Sequence, residues 1–180
     1  MTAQTNTDFA FFTFEIKARH RDLQKIRNFL NKHGAEKIGN DYQVDTYFKV
    51  AKGRLKLREG NIENHLIWYQ RPNKKGPKRS KTLLYKSTPG STLKEVLTKS
   101  MDVLAVIEKR REIFFIENVK FHLDEVKSLG SFIEIEAIDY SGKLGLPKLK
   151  GQAQHYIEVL GIKQTDLLTG SYSDMILGRL

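Results

Sequence analysis

Side chains alternate across a β-strand, and this chain uses that alternation to gather charge on one face of segment after segment. In "TFEIKAR" (13–19), Phe14, Ile16 and Ala18 share a face, while Thr13, Glu15, Lys17 and Arg19 share the other. "RLKLRE" (54–59) sets Arg54, Lys56 and Arg58 against Leu55 and Leu57. In "IEKRREIF", Lys109 and Arg111 share a face with Ile107 and Ile113. In "VKFHLDEV", Lys120, His122 and Asp124 oppose Phe121 and Leu123; in "FIEIEAI", Glu134 and Glu136 oppose Ile133, Ile135 and Ala137. For any one strand, such a face is the ordinary solvated side of a sheet. Here the signs also sort by strand. Three strands carry mainly bases, whereas Glu15, Glu134 and Glu136 form a small acidic set. A solvated face has no reason to sort them.

Strands are expected at 11–19, 42–50, 54–59, 65–71, 80–87, 104–116, 119–126 and 130–138. A helix is expected over 22–33, with Leu23, Ile26, Phe29 and Leu30 as its apolar stripe and Gly34 as its stop. A second, over 91–101, carries a capping-box signature in Thr92 and Glu95. A third is expected over 148–160, and a short last one around "YSDMIL". Many hairpins with helices inserted between them predict an antiparallel α+β fold. If the charged faces turn inward, the strands close into a β-barrel with the helices packed outside. About eight strands leave an interior wide enough for one small ligand. Residues 9–180 read as a single domain and residues 1–8 as a loose tail.

The 180 residues hold 31 Lys and Arg against 21 Asp and Glu, a net charge of +10, which calls for an anionic partner. One loop, "RPNKKGPKRSK" (71–81), is basic, but most of the charge lies in the strands, which disfavours nucleic acid. No apolar run is long enough to span a membrane, and no basic segment precedes the first apolar residues as in a secretory signal. Cysteine is absent, so thiolate metal sites and cysteine nucleophiles are excluded, and a reducing cytoplasm is the expected location. The five histidines lack zinc-site spacing, and there is no phosphate-binding glycine loop. His122 reads as structural before it reads as a proton-transfer group, and Trp68 and Tyr69 read as wall packing. Carboxylates are hard ligands for Mg²⁺ or Mn²⁺, and Lys and Arg neutralise phosphate oxygens. A site for a metal and a polyphosphate accounts for the sorted signs.

"FEIKAR", "DTYF", "GRLKLRE", "YQRP", "EKRREIFFIENVKFHLDEVKSLGSFIEIE" and "SYSDM" together resemble the CYTH family of triphosphate tunnel enzymes, above all its class IV adenylyl cyclase-like branch. The resemblance runs from about Phe12 to about Ile176. It implies an eight-stranded antiparallel tunnel that holds a triphosphate such as ATP, thiamine triphosphate or tripolyphosphate, with Mg²⁺ or Mn²⁺ as cofactor. It implies metal ligation by Glu15, Glu134, Glu136 and Asp124. Lys17, Arg58, Lys109 and Arg111 are implied to be catalytic and phosphate-binding, with Arg19, Lys56, Arg71 and Lys81 as further phosphate contacts. The family's E-x-E-x-K signature is incomplete: Thr13 stands where its first glutamate is usual. Three functions are compatible with the resemblance: an adenylyl cyclase, a triphosphatase, and a triphosphate-binding module with little turnover. A homodimer is left open.

Overall fold

A computed structural model describes residues 11–178. The expected tail at 1–8 lies outside the described residues. The strands are β1 (Phe11–Arg19), β2 (Glu36–Phe48), β3 (Arg54–Glu59), β4 (His65–Gln70), β5 (Lys78–Lys86), β6 (Val103–Ile116), β7 (Val119–Val126) and β8 (Gly130–Asp139). The helices are α1 (Leu23–Lys32), α2 (Leu93–Ser100), α3 (Leu146–Val159) and α4 (Tyr172–Ile176). All eight strands form one closed antiparallel barrel in the order β1-β5-β4-β3-β2-β6-β7-β8. Two meanders, β2–β5 and β6–β8, meet along β2–β6, and β1 closes the circle between β5 and β8. None of the helices is long and apolar enough to cross a membrane.

Alternation dictates which residues go where. Ile16 and Ala18 of β1, Phe114 of β6, Phe121 of β7, and Ile133 and Ile135 of β8 point out of the barrel. There they pack with Leu23, Ile26 and Leu30 of α1 and Leu149 and Ile157 of α3. α2 covers another stretch of wall through Leu97, against Phe48 and Leu57. The opposite parity faces the axis. At the end where β1 finishes, Tyr47, Ile107, Val126 and Phe132 meet Tyr172 of α4 in an apolar plug. That end is therefore closed by packed side chains rather than open to water.

Two local expectations differ from the structure. β2 begins at Glu36, six residues before the expected start. Its first half pairs with β6 through a register shift at Lys37/Gly39, so tertiary pairing recruits a stretch with no alternation of its own. At α2, Thr92 is the N-cap residue but its side chain makes no capping bond. The capping box forms instead at α4. There the Ser171 hydroxyl accepts from the Asp174 N–H, and the Asp174 carboxylate accepts from the Ser171 N–H. Asp22 caps α1, accepting from the Lys25 N–H at 3.0 Å.

Phe121 has no solvent exposure and meets the ring of Tyr156 on α3 edge-on, with centroids 4.7 Å apart. Phe121→Ala should destabilise the fold by about 3–5 kcal/mol, read as a lower midpoint in urea with little change in slope.

Candidate active site

Inward-facing residues from all eight strands, with Ser171 and Tyr172 at the start of α4, line one cavity of about 120 Å³. Six Lys and Arg line it (Lys17, Lys56, Arg58, Arg71, Arg111 and Lys120), with five carboxylates (Glu15, Asp45, Glu63, Glu134 and Glu136). Charges this far from water must be paired, and all of them but Glu136 are, in four groups.

The first group lies across β1, β8, β6 and β7. Glu134 accepts from Lys17 at 2.9 Å and from Arg111 at 2.8 Å. Arg111 also grips both oxygens of Asp124, at 2.7 and 2.6 Å, and the Tyr172 hydroxyl donates to Asp124 at 2.7 Å. The Lys17 ammonium lies 3.7 Å from the Tyr172 ring centre. In the second group one carboxylate, Asp45, holds three cations: Arg58 through two bonds (2.8 and 3.0 Å), Lys56 (2.9 Å) and Lys109 (2.6 Å). Burial would raise the Asp45 carboxyl pKa, but Arg58, Lys109 and Lys56 outweigh burial and hold it well below the usual carboxylate range. Glu63 forms the third group with Arg58 and Lys120, and Glu15 the fourth with Arg71 at 2.6 Å. The Arg71 Nε is buried with no hydrogen-bond partner among the described residues, a donor available to an anion.

Glu136 and His122 stand apart from these pairs. Ligand atoms of His122, Glu134 and Glu136 lie within 4.8 Å of one another. Neither ring nitrogen of His122 makes a hydrogen bond among the described residues, although Nδ1 is 3.4 Å from Glu134 and 3.8 Å from Glu136. Burial, then Arg111 and Lys120, push the His122 pKa down to about 3, so the ring is neutral and its nitrogens keep a lone pair to offer. Burial and the facing Glu134 carboxylate push Glu136 up to about 7. A neutral buried imidazole beside a carboxylate that lacks a cation is a donor set that fits a divalent metal ion.

The structure sorts the residues singled out from the sequence. Lys17, Arg58, Arg111, Lys56, Arg71, Glu15, Glu134 and Glu136 all reach the cavity. Lys109 faces the axis but is sealed beneath Asp45 with a fully buried side chain. Asp124 is likewise fully buried, spent on Arg111 and Tyr172, and is not part of the His122–Glu134–Glu136 cluster. Glu15 is held by Arg71 and is not part of that cluster either. Arg19 shares parity with Lys17 but lies past the end of the cavity, where it donates to the Leu129 carbonyl and sits over the Phe132 ring. Lys81 points out of the barrel, because its neighbours Ser80 and Thr82 are the ones facing in. The inward lysine of β5 is Lys78, fully buried and donating to the Leu168 and Thr169 carbonyls at 2.8 and 2.9 Å. Thr13 lines the cavity with its hydroxyl buried and unpartnered among the described residues, and adds no charge.

Asp45, Glu63 and Tyr172 were not visible in the sequence as site residues. Asp45 shares a strand face with Gln43 and Tyr47, a mixed pattern that does not announce an interior. Glu63 comes from a turn and Tyr172 from a five-residue helix, where no strand alternation applies.

At the end where β1 begins and β8 ends, apolar Phe11, Leu84, Ile138 and Tyr140 join the lining beside Glu63, His65 and Lys120, with the Phe11 and Tyr140 rings 5.1 Å apart. One cavity therefore passes from a charged middle to a mouth with an aromatic side.

A pKa raised on folding lends stability below the unfolded value, and that stability is lost as pH rises through the folded value. For Glu136 this window runs from about 4.5 to about 7. In metal-free protein, wild type should therefore lose melting temperature relative to Glu136→Gln as pH rises through that window. The comparison is with the mutant because His122 and the other buried acids titrate in both proteins. Added Mn²⁺ at pH 7.5 should restore wild type and not the mutant.

The CYTH domain family model matches residues 12–172. The protein MJ0240 of Methanocaldococcus jannaschii, named as a candidate adenylate cyclase, is 26% identical over 174 residues, covering 89% of this chain and 96% of that protein. The solved structure of PH1012 from Pyrococcus horikoshii superposes with a TM-score of 0.74 at 23% identity, covering 90% of this chain and 98% of that one. HpAC1 from Hippeastrum, described as a candidate adenylyl cyclase with a dominant triphosphatase activity, superposes with a TM-score of 0.62 at 13% identity, covering 94% and 97%. With the closed eight-stranded barrel and the match over nearly its whole length, the chain belongs to the CYTH domain family.

Proposed function

We propose that this protein is a divalent-metal-dependent enzyme that acts on a triphosphate inside the barrel, and that its reaction is that of the class IV adenylyl cyclases: ATP to cyclic AMP and pyrophosphate. The observation that carries this reading is the grading of a single cavity from a charged middle to a mouth with an aromatic side. The middle suits a triphosphate, and the aromatic side of the mouth suits the flat, apolar face of a base. Membership of the CYTH family and the M. jannaschii relative support it.

In this reaction the ribose 3′-hydroxyl attacks the α-phosphorus and pyrophosphate leaves. Lys17, Arg71 and Arg111 take up the charge that develops on the leaving group. Asp45 holds Arg58, and Asp124 with Tyr172 holds Arg111, so both guanidinium groups are aimed before substrate arrives. Substrate entry exchanges partners. Phosphate oxygens replace carboxylates on Lys17, Arg71 and Arg111, which frees Glu134. Glu134, Glu136 and His122 would hold a divalent ion, which would supply charge neutralisation and lower the pKa of the attacking hydroxyl.

A triphosphatase is the second reading, with water attacking the terminal phosphorus. It is favoured by the Hippeastrum protein, whose description couples the same barrel to triphosphatase activity. A shared fold does not choose the attacked phosphorus. Incubation with ATP, thiamine triphosphate and tripolyphosphate, each with Mg²⁺ and with Mn²⁺, separates the readings. Cyclic AMP with pyrophosphate is the expected product. Orthophosphate would mark a triphosphatase, and binding without product a non-catalytic module. Glu134→Gln and Glu136→Gln should each lower turnover by about a hundredfold or more at limiting metal, with the fold intact by circular dichroism. Near-normal turnover in both would remove them as ligands.

A further inference from the structure

The turn between β3 and β4 puts a carboxylate into the cavity from outside the strand pattern. It is held rigidly. Asp41, itself buried, accepts from the backbone N–H groups of Ile62 at 2.9 Å and Glu63 at 3.0 Å. Asn64 brackets Gly60, accepting from its N–H at 3.2 Å and donating to its carbonyl at 2.7 Å. A Cβ at Gly60 would stand 2.6 Å from an Asp41 oxygen, so the close approach of turn and carboxylate requires glycine. The Asn64 carbonyl accepts from Ser87 beyond β5 at 3.0 Å, which ties down the far side of the turn.

From this anchored backbone the Glu63 side chain enters the cavity. Its carboxylate accepts from Arg58 at 2.8 Å, from Gln43 at 3.0 Å and from Lys120. Arg58 is on β3 and Lys120 on β7, with β2 and β6 between them in the barrel. One carboxylate thus bridges two cations from separated strands, a position that a phosphate group would otherwise take. The bridge lies toward the aromatic mouth, since Glu63 leads into the start of β4 and Lys120 pairs with Glu136 near the end of β8. Lys17, Arg71 and Arg111 lie farther along their strands toward the plugged end.

Resting on the triphosphate reading above, we propose that Glu63 is a specificity-determining residue that selects organic triphosphates against inorganic polyphosphate. Inorganic tripolyphosphate is charged at both ends. A nucleoside triphosphate in the same track is charged at one end and presents an ester and a sugar at the other. With Arg58 and Lys120 already neutralised at the mouth side, a second charged terminus gains little there and faces the Glu63 carboxylate directly. An ester and sugar lose nothing by it, and the base gains the apolar mouth.

Binding of inorganic tripolyphosphate and of a non-hydrolysable ATP analogue, measured by calorimetry at fixed ionic strength, tests this. Glu63→Gln keeps the size and an acceptor and removes the charge. It should tighten tripolyphosphate by about tenfold and the analogue by much less, narrowing the preference. Glu63→Ala, which removes the side chain and keeps the anchored turn, should shift the preference the same way, and it serves if the Gln variant fails to fold. Unchanged or weaker tripolyphosphate binding in a folded variant, with wild type binding either ligand, would overturn the proposal and leave the triphosphate reading standing. Failure of wild type and variants alike to bind both ligands would overturn both.

Discussion

Everything about this molecule depends on charges that are buried but paired. A lone carboxylate or ammonium at the centre of a barrel costs several kcal/mol of desolvation, so each must find an opposite partner with good geometry. The chain meets that demand across strands. Asp45 of β2 serves cations from β3 and β6, and Glu134 of β8 serves cations from β1 and β6. Strand pairing is what brings these side chains within reach of one another, with β2 between β3 and β6 and β8 beside β1. The same pairing that makes the interior tolerable also holds a set of cations in fixed directions.

Around the ionic interior the architecture is conventional in its energetics. The outward face of β1, β7 and β8 is apolar and is covered by α1 and α3. Burial of that outer layer drives folding, while the interior is ionic. The apolar plug at the α4 end and the aromatic mouth at the other give the barrel two unlike ends. An elongated ligand with one charged end and one apolar end therefore has a single favourable orientation.

Within the interior, the side chains divide by what they touch. Asp124 and Lys109 carry buried charge without reaching the cavity; each spends itself on a neighbour that does reach it, or on one beside it. Their effect on a ligand passes through Arg111 and Asp45. The cluster of His122, Glu134 and Glu136 differs, because Glu136 has no cation of its own and the imidazole has no hydrogen bond among the described residues. Histidine joins this cluster through its position on β7 opposite Glu134, a neighbour relation that exists only once β7 and β8 are paired.

Strand alternation made much of this legible beforehand. Glu15, Lys17, Arg58, Arg111, Glu134 and Glu136 reach the cavity as their parity requires, and the closed antiparallel barrel follows from five charged faces that need to be enclosed. Resemblance offered Lys81 as a phosphate contact, but alternation along β5 sets Lys78, Ser80 and Thr82 inward and turns Lys81 out. Parity cannot say how far along the axis the cavity extends, which is why Arg19 shares a face with Lys17 and yet lies beyond it. The amino-acid sequence by itself determined which faces are charged, the order of the elements and the family. Only the tertiary structure decided which charges pair, since pairing depends on strand order and stagger around the barrel. It alone decided, too, that a turn residue, Glu63, and a C-terminal tyrosine, Tyr172, complete the interior, because neither is bound by the periodicity of a strand.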